Sequence, residues 1–217
     1  MDAKDLIARR VAQEIKPGML VNLGIGLPSL VAGFVPASLG VFFQAENGVI
    51  GLGARPTEGM EDPHLTDAGG GFVSAVPGAA SIDSAMSFGL IRGGHLDMTV
   101  LGGLQVDEAG HLANWKVPGK MVPGMGGAMD LVTGAARVIV AMQHTARGAS
   151  KIVPRCTLPL TARRRVDLIV TDLAVIEPTE AGLVLRERAP GVSVEAILVA
   201  TEANLILPGD IPEMTLV

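Results

Sequence analysis

The sequence predicts an α/β protein folded as one domain, residues 1–217, on three observations. Short runs rich in Val, Ile and Leu alternate with amphipathic stretches and glycine-dense turns, the pattern of strands and helices in layers. Hydrophobic residues make up 48% of the chain and charged residues only 18%, which is enough apolar surface for a packed core. No internal repeat, linker or low-complexity segment interrupts the pattern.

Composition also narrows function. The net charge is −5, aromatics are 3% and Tyr is absent, so the basic surface and stacking rings of a nucleic-acid binder are missing. Residues 17–45 carry no Asp, Glu, Lys or Arg, a stretch long enough to span a bilayer. Asn22, Gly24, Gly26, Pro28, Gly33, Pro36 and Gly40 break it into short elements, so no membrane span is expected. The acidic start Met1-Asp2-Ala3-Lys4-Asp5 does not read as a signal peptide, and a cytoplasmic location is expected. Cys156 is the single cysteine, which leaves no internal disulfide and no cysteine cage for a metal.

In chain order, residues 2–16 read as an amphipathic helix, with Asp2 as cap and Ile7, Val11 and Ile15 inward. Pro17-Gly18 stops it, and Met19 to Leu23 forms a buried strand. Gly24-Ile25-Gly26-Leu27-Pro28 follows as a glycine turn that lets backbone approach a ligand, with Pro28 fitting the first turn of a helix. This turn lacks the third glycine of a dinucleotide fingerprint and the Lys-Ser/Thr of a P-loop. Residues 51–71 read as loop. Ser81 to Arg92 reads as a helix capped by Ser81, with Ile82, Met86 and Leu90 inward. Strands are expected over Asp97 to Val106, with Met98 to Leu101 as its apolar run, and over Arg137 to Gln143, Ile152-Val153 and Val166 to Val170. A hairpin turns over Pro178 to Gly182, the last helix begins at Ser193, and order ends near Pro208. The run Arg163-Arg164-Arg165 reads as a solvated loop. A second glycine-rich segment, residues 116–127, has no evident secondary structure. Its Gly126-Gly127 precedes a helix start whose amides favour an anion.

Chemistry concentrates on Glu46, the first charge after the uncharged stretch. Apolar Val41-Phe42-Phe43 leads to it and Val49-Ile50 leaves it. A carboxylate between apolar runs loses solvation, which favours reactivity. The plainer reading is an Asn47-Gly48 hairpin turn with Glu46 exposed beside it. No Gly-x-Ser-x-Gly elbow is present, and His64, His95, His111 and His144 lack metal-ligand spacing. A lone carboxylate with two glycine-rich loops suits a general base, or a nucleophile in acyl transfer with glycine amides for the oxyanion.

Several motifs together carry a resemblance. They are Val21-Asn22-Leu23-Gly24-Ile25-Gly26-Leu27-Pro28, Glu46-Asn47-Gly48, Ile91-Arg92-Gly93-Gly94-His95-Leu96-Asp97, Asn114-Trp115-Lys116-Val117-Pro118-Gly119-Lys120, Met125-Gly126-Gly127-Ala128-Met129-Asp130-Leu131 and Thr157-Leu158-Pro159-Leu160-Thr161. Nearly end to end, the chain resembles the B (β) subunit of the family I CoA-transferases, of the 3-oxoacid and 3-oxoadipate type. The resemblance implies a three-layer α/β/α CoA-transferase fold, with Glu46 as nucleophile. It puts Asn22 and the Gly24/Gly26 turn at the CoA thioester, and a backbone amide at Gly127 on the oxyanion. It also implies ping-pong transfer through a glutamyl-CoA thioester, with coenzyme A or acyl-CoA as substrate, no permanently bound cofactor and no metal. An A (α) subunit is the implied partner, in an α2β2 assembly. Two positions depart from the family pattern. Ala45 stands where the motif has serine, and Ala68-Gly69-Gly70-Gly71 has only glycine where some relatives carry a lysine. An acyl-CoA hydrolase and a non-catalytic binding paralogue are the competing readings.

Overall fold

A computed structural model of the protein describes residues 1–119 and 126–216. Helix α1 (Ala3–Ala12) follows the predicted spacing, burying Ile7 and Val11, and Ile15 is buried just beyond it. Asp2 occupies the cap position in extended conformation without a side-chain capping bond. Arg10 on this helix is buried and donates to both Glu14 and Glu187, while Arg137 also pairs with Glu14. That network clips α1 to two strands of the sheet.

Strands β1 (Leu20–Leu23), β2 (Phe42–Gln44), β3 (Val49–Leu52) and β4 (Ala75–Ser81) precede helix α2 (Ser84–Arg92). A 3₁₀ helix, Leu27–Phe34, links β1 to β2, with proline in its first turn as expected. Strands β5 (Met98–Leu101), β6 (Gln105–Asp107) and β7 (Leu112–Ala113) lead to helix α3 (Ala128–Gly134). Then come β8 (Arg137–Ala141), β9 (Thr145–Ala146), β10 (Ala149–Ser150), β11 (Ile152–Val153), β12 (Leu168–Val170), β13 (Ala174–Thr179), β14 (Gly182–Arg188), helix α4 (Val194–Ala200) and β15 (Leu205–Ile206).

Ten strands form one mixed sheet in the order β15-β14-β13-β12-β8-β5-β1-β2-β3-β4. Its centre, β12, β8, β5, β1 and β2, is parallel. Alternate side chains on these strands feed two cores. Val138, Val140 and Ile169 pack with Ile91, Leu131 and Val132 of α2 and α3. Met98, Val100, Ile139, Leu168 and Val170 pack with Ile7, Val11 and Val31 on the opposite face. A sheet buried on both faces by helical segments gives three layers, as the resemblance implies. A small sheet, β11-β6-β7, and the β9-β10 hairpin lie apart from it.

Several expectations are corrected, among them the single strand run from Asp97 to Val106, which divides into β5 in the large sheet and β6 in the small one. Strand β4 falls where no element is expected, and it takes in Ser81, so the cap of α2 is Asp83, whose carboxylate accepts from Met86 N at 2.7 Å. The helix turns Ser87 and Ile91 inward, while Met86 is 56% exposed. The final hairpin turns at Glu180-Ala181, with Pro178 inside β13. Arg164 is no free surface charge: its guanidinium donates to the carbonyls of Val132, Thr133, Ala135 and Ala136 and so caps the end of α3. Order continues past Pro208, with Ile211 and Met214 buried and Met214 N donating to Arg188 O. Residues 120–125 of the second glycine-rich segment lie outside the described residues.

Candidate active site

β1 is the point where the sheet changes direction of growth. The chain steps from β1 to β2 on one side, and β5 later returns to the other side of β1. In open α/β sheets, such switch points leave a crevice beyond the carboxyl ends of the strands. A cleft of about 590 Å³ lies here, lined by Leu23 at the end of β1, Gly24 and Gly26 after it, Phe43 on β2 and Ala45 just beyond it, and residues 67–73 across from them.

Local sequence explains the turn after β1. Gly24 N donates to Val100 O at 2.8 Å, and a Cβ on Gly24 would sit 3.1 Å from that same oxygen. Gly26 has φ +87, in the left-handed region that L side chains avoid, and its carbonyl accepts from Ser29 Oγ at 2.7 Å. One glycine therefore serves close strand packing and the other serves the backbone angle.

Glu46 occupies a tight turn between β2 and β3. Gly48 N donates to Ala45 O at 3.0 Å and Ala45 N to Val49 O at 2.9 Å, so a hairpin turns here as in the plainer reading, but its loop is the three residues Glu46-Asn47-Gly48 and not the two-residue Asn47-Gly48 turn. Glu46 is nonetheless half-buried, because the chain before α3 lies against it. A Cβ on Gly127 would stand 2.7 Å from Glu46 Cγ and 3.3 Å from Oε1. Glu46 and Gly127, 81 positions apart in the sequence, are thus in direct contact. Among the described residues the Glu46 carboxylate takes part in no hydrogen bond and no ion pair. Asn47 donates from Nδ2 to Thr66 O at 2.8 Å, tying the turn to the loop that forms the far wall of the cleft.

Asn22 stands elsewhere than an open amide at the thioester would. It is 0% exposed, inside the sheet, and donates from Nδ2 to Gln44 O at 3.1 Å and to Gln44 Oε1 at 3.0 Å. Thr99 Oγ1 donates to its Oδ1 at 3.2 Å, and Gln44 Nε2 continues to Ser87 Oγ at 2.9 Å. Asn22 is in register with both Gln44 and Thr99 on the neighbouring strands, so three adjacent strands and α2 share one buried polar ladder. The physical reason is alternation: Val21 and Leu23 face one layer, and Asn22 faces α2. Sequence reasoning misses Gln44, Ser87 and Thr99. The available signal is two isolated amides, Asn22 and Gln44, inside otherwise apolar strands.

The structure also brings together residues given no role. Asp107, His111 and Cys156 line a second cavity of about 760 Å³, with His111 Nδ1 3.3 Å from Asp107 Oδ2. The thiol donates to the His111 carbonyl instead of facing the imidazole, and burial together with Asp107 pushes it up to about 12. Such a thiol is a structural one. Among the described residues, no group of three His, Cys, Asp or Glu is placed to hold a metal. No helix among them is long and apolar enough to cross a membrane.

Comparison with known proteins decides the family, because the model of the coenzyme A transferase family matches residues 4–200. The chain belongs to the coenzyme A transferase family. It is 54% identical to the beta subunit of the acetate CoA-transferase of Haemophilus influenzae, over 99% of this chain and 96% of that one. It is 49% identical to the B subunit of the succinyl-CoA:3-ketoacid coenzyme A transferase of Helicobacter pylori, over 93% of this chain and 97% of the relative. Among solved structures, the acyl-CoA transferase YdiF of Escherichia coli O157:H7 superposes with a TM-score of 0.80 at 24% identity. That match covers 99% of this chain and 43% of the larger one, and it supports the fold alone. This coenzyme A transferase is an enzyme, and both of these full-length relatives are beta or B subunits.

Proposed function

We propose that the chain is the catalytic β subunit of a CoA-transferase that moves CoA from an acyl-CoA such as succinyl-CoA to a short-chain acid. The single observation that carries this reading is Glu46, a carboxylate without a protein partner among the described residues, held against Gly127 beside the switch-point cleft. A nucleophile must keep its lone pairs free, and among the described residues no cation pairs with the one this turn supplies.

Transfer proceeds in four balanced steps. A Glu46 oxygen attacks the thioester carbonyl and CoA thiolate leaves, giving a mixed anhydride. The thiolate then attacks the Glu46 acyl carbon, releasing the donor acid and leaving a glutamyl-CoA thioester. The acceptor carboxylate attacks that thioester and frees the thiolate again. The thiolate takes the new acyl group from the anhydride, and Glu46 returns as carboxylate. The Gly127 amide, with the Gly24 and Gly26 turn, stabilises oxyanion and thioester in this scheme. Asn22 acts as a positioning residue, holding Gln44 and hence the start of the Glu46 turn. Remote binding of CoA supplies energy used at the reacting carbon.

The relatives' names divide the acceptors between acetate and 3-oxo acids, and an acid of that set, acetoacetate and 3-oxoadipate included, is proposed here. The same names support an A (α) partner subunit, and an α2β2 assembly in the cytoplasm is proposed with it. The test uses the chain co-expressed with its A (α) partner. Incubation with acyl-CoA and no acceptor, followed by borohydride or hydroxylamine, should modify Glu46, and Glu46→Ala should lose at least about 1,000-fold in transfer. An unmodified Glu46 in an active complex would sink the proposal.

A further inference from the structure

Between Lys16 and Arg92 the chain has one cationic residue, Arg55, and it lines the cleft. The rest of that lining is neutral except for Asp67. Asp67 is occupied with its own loop, its Oδ1 accepting from Gly69 N at 2.8 Å and Gly71 N at 2.9 Å. Acids close to Arg55 in sequence are likewise engaged: Glu61 accepts from Gly59 N, and Asp62 from His64 N. Among the described residues the Arg55 guanidinium therefore pairs with no carboxylate, although Glu58, Glu61 and Asp62 follow within seven positions.

The backbone beneath Arg55 is fixed. Gly53 N donates to Ser74 O at 2.7 Å, while Ser74 N and Ser74 Oγ both donate to Ala54 O, at 2.9 and 2.7 Å. A Cβ at Gly53 would lie 2.4 Å from Ser74 Oγ, so the two segments touch backbone to side chain. Pro56 restrains the other side. An arginine on an anchored segment, at the wall of a cleft otherwise poor in charge, presents a fork of donors suited to two oxygens of one anion. The opposite wall, Ala68 to Gly71, offers no cation.

We infer that Arg55 is an oxyanion subsite of the cleft, binding an anionic group of the acyl-CoA substrate. The chemistry is two oxygens of a carboxylate or a phosphate. Its source is either a carboxylate at the far end of the acyl group or the phosphates of the CoA nucleotide. This inference rests on the cleft being the acyl-CoA site. It adds a substrate-binding residue distinct from the nucleophile and the glycine turn.

The experiment compares wild type, Arg55→Gln and Arg55→Lys, each co-expressed with the partner subunit, with exposed Arg147→Gln as a remote charge control. Transfer is measured from succinyl-CoA, butyryl-CoA and the matching pantetheine thioesters, which lack the nucleotide phosphates. For Arg55→Gln, kcat/KM should fall about 10-fold or more in one comparison, mostly through KM, with partial recovery in Arg55→Lys. A fall in the succinyl-over-butyryl ratio assigns Arg55 to the acyl carboxylate. A fall in the CoA-over-pantetheine ratio assigns it to the phosphates. Both ratios staying within about two-fold in an active complex overturns the inference and leaves the proposed function standing. Loss of co-purification with the partner places Arg55 in the subunit interface and also overturns it. A wild-type complex that transfers no CoA overturns the function and this inference together.

Discussion

Replacing Gly127 by alanine tests whether the contact with Glu46 belongs to the working site. The new Cβ would stand 2.7 Å from Glu46 Cγ, where ordinary contacts begin near 3.4 Å. Cγ must then retreat by about 0.7 Å, and the carboxylate, further from the pivot, by about 1 Å. A displacement of that size at a reacting group costs about 100-fold in rate. The backbone does not resist the change, because Gly127 has φ −87, which alanine adopts freely. Its position at the start of α3 makes alanine worse than glycine by about 1 kcal/mol, partly offset by the lower entropy of the unfolded chain. The prediction is therefore a split: kcat in the co-expressed complex falls about 100-fold while Tm moves by no more than about 4 °C. Gly89→Ala is the control, since nothing lies within 4 Å of its added Cβ, and it should keep wild-type activity. Transfer within a few-fold of wild type in Gly127→Ala would refute the reasoning, as would a loss of activity that merely follows a collapse in Tm.

Two further outcomes follow from buried geometry. At Gly48, φ is +112 and an added Cβ would lie 2.0 Å from Ile82 O, so Gly48→Ala should cost at least about 3 kcal/mol and lower Tm by roughly 10 °C, measured by thermal melting. His144 is buried between Thr171 Oγ1 and Thr201 Oγ1, and burial, opposed by Asp172, lowers its pKa from 6.5 to about 4. The unfolded chain binds this proton first, so the contribution of the neutral ring, about 3 kcal/mol, is whole above about pH 6.5 and is lost as pH falls toward 4. Urea unfolding across that window should show the loss, and His144→Gln should flatten it.

What is legible in the sequence follows from periodicity and glycine. Ile7, Val11 and Ile15, the apolar run over β1, and the Asn47-Gly48 hairpin signal announce their elements through local pattern alone, although the hairpin loop takes in Glu46 as well. Strand β4 does not, because Ala75-Val76-Pro77-Gly78-Ala79-Ala80-Ser81 has little β-propensity and is held in place by pairing with β3. Helix α2 is turned the wrong way by its own pattern for a related reason. Hydrophobicity favours Met86 inward, but the Gln44 amide needs a buried acceptor, and Ser87 provides it. The approach of Gly127 to Glu46 links residues 81 apart and leaves no trace in spacing. Only the resemblance points to it.

The site is largely made by the absence of side chains, which explains why so many glycines cluster where the chemistry is. Gly24 lets the turn after β1 lie against β5, Gly48 lets the Glu46 turn lie against the chain entering α2, and Gly127 lets the chain before α3 lie against Glu46 itself. Each omission brings two backbones, or a backbone and a carboxylate, closer than a methyl group allows. Glycine backbone is costly to order, so something must hold it, and the holding is done one layer below. There Thr99, Asn22, Gln44 and Ser87 are linked by hydrogen bonds across three strands and α2, all four buried, so that a lost partner leaves a buried polar atom unsatisfied. Gln44 is two residues before Glu46, and Gln44 Nε2 also donates to Ala45 O, the carbonyl that closes the Glu46 turn. The rigid polar ladder and the bare glycine surface thus act on the same few atoms. The ladder fixes where the nucleophile's turn begins, and the glycines leave space for a thioester to reach it.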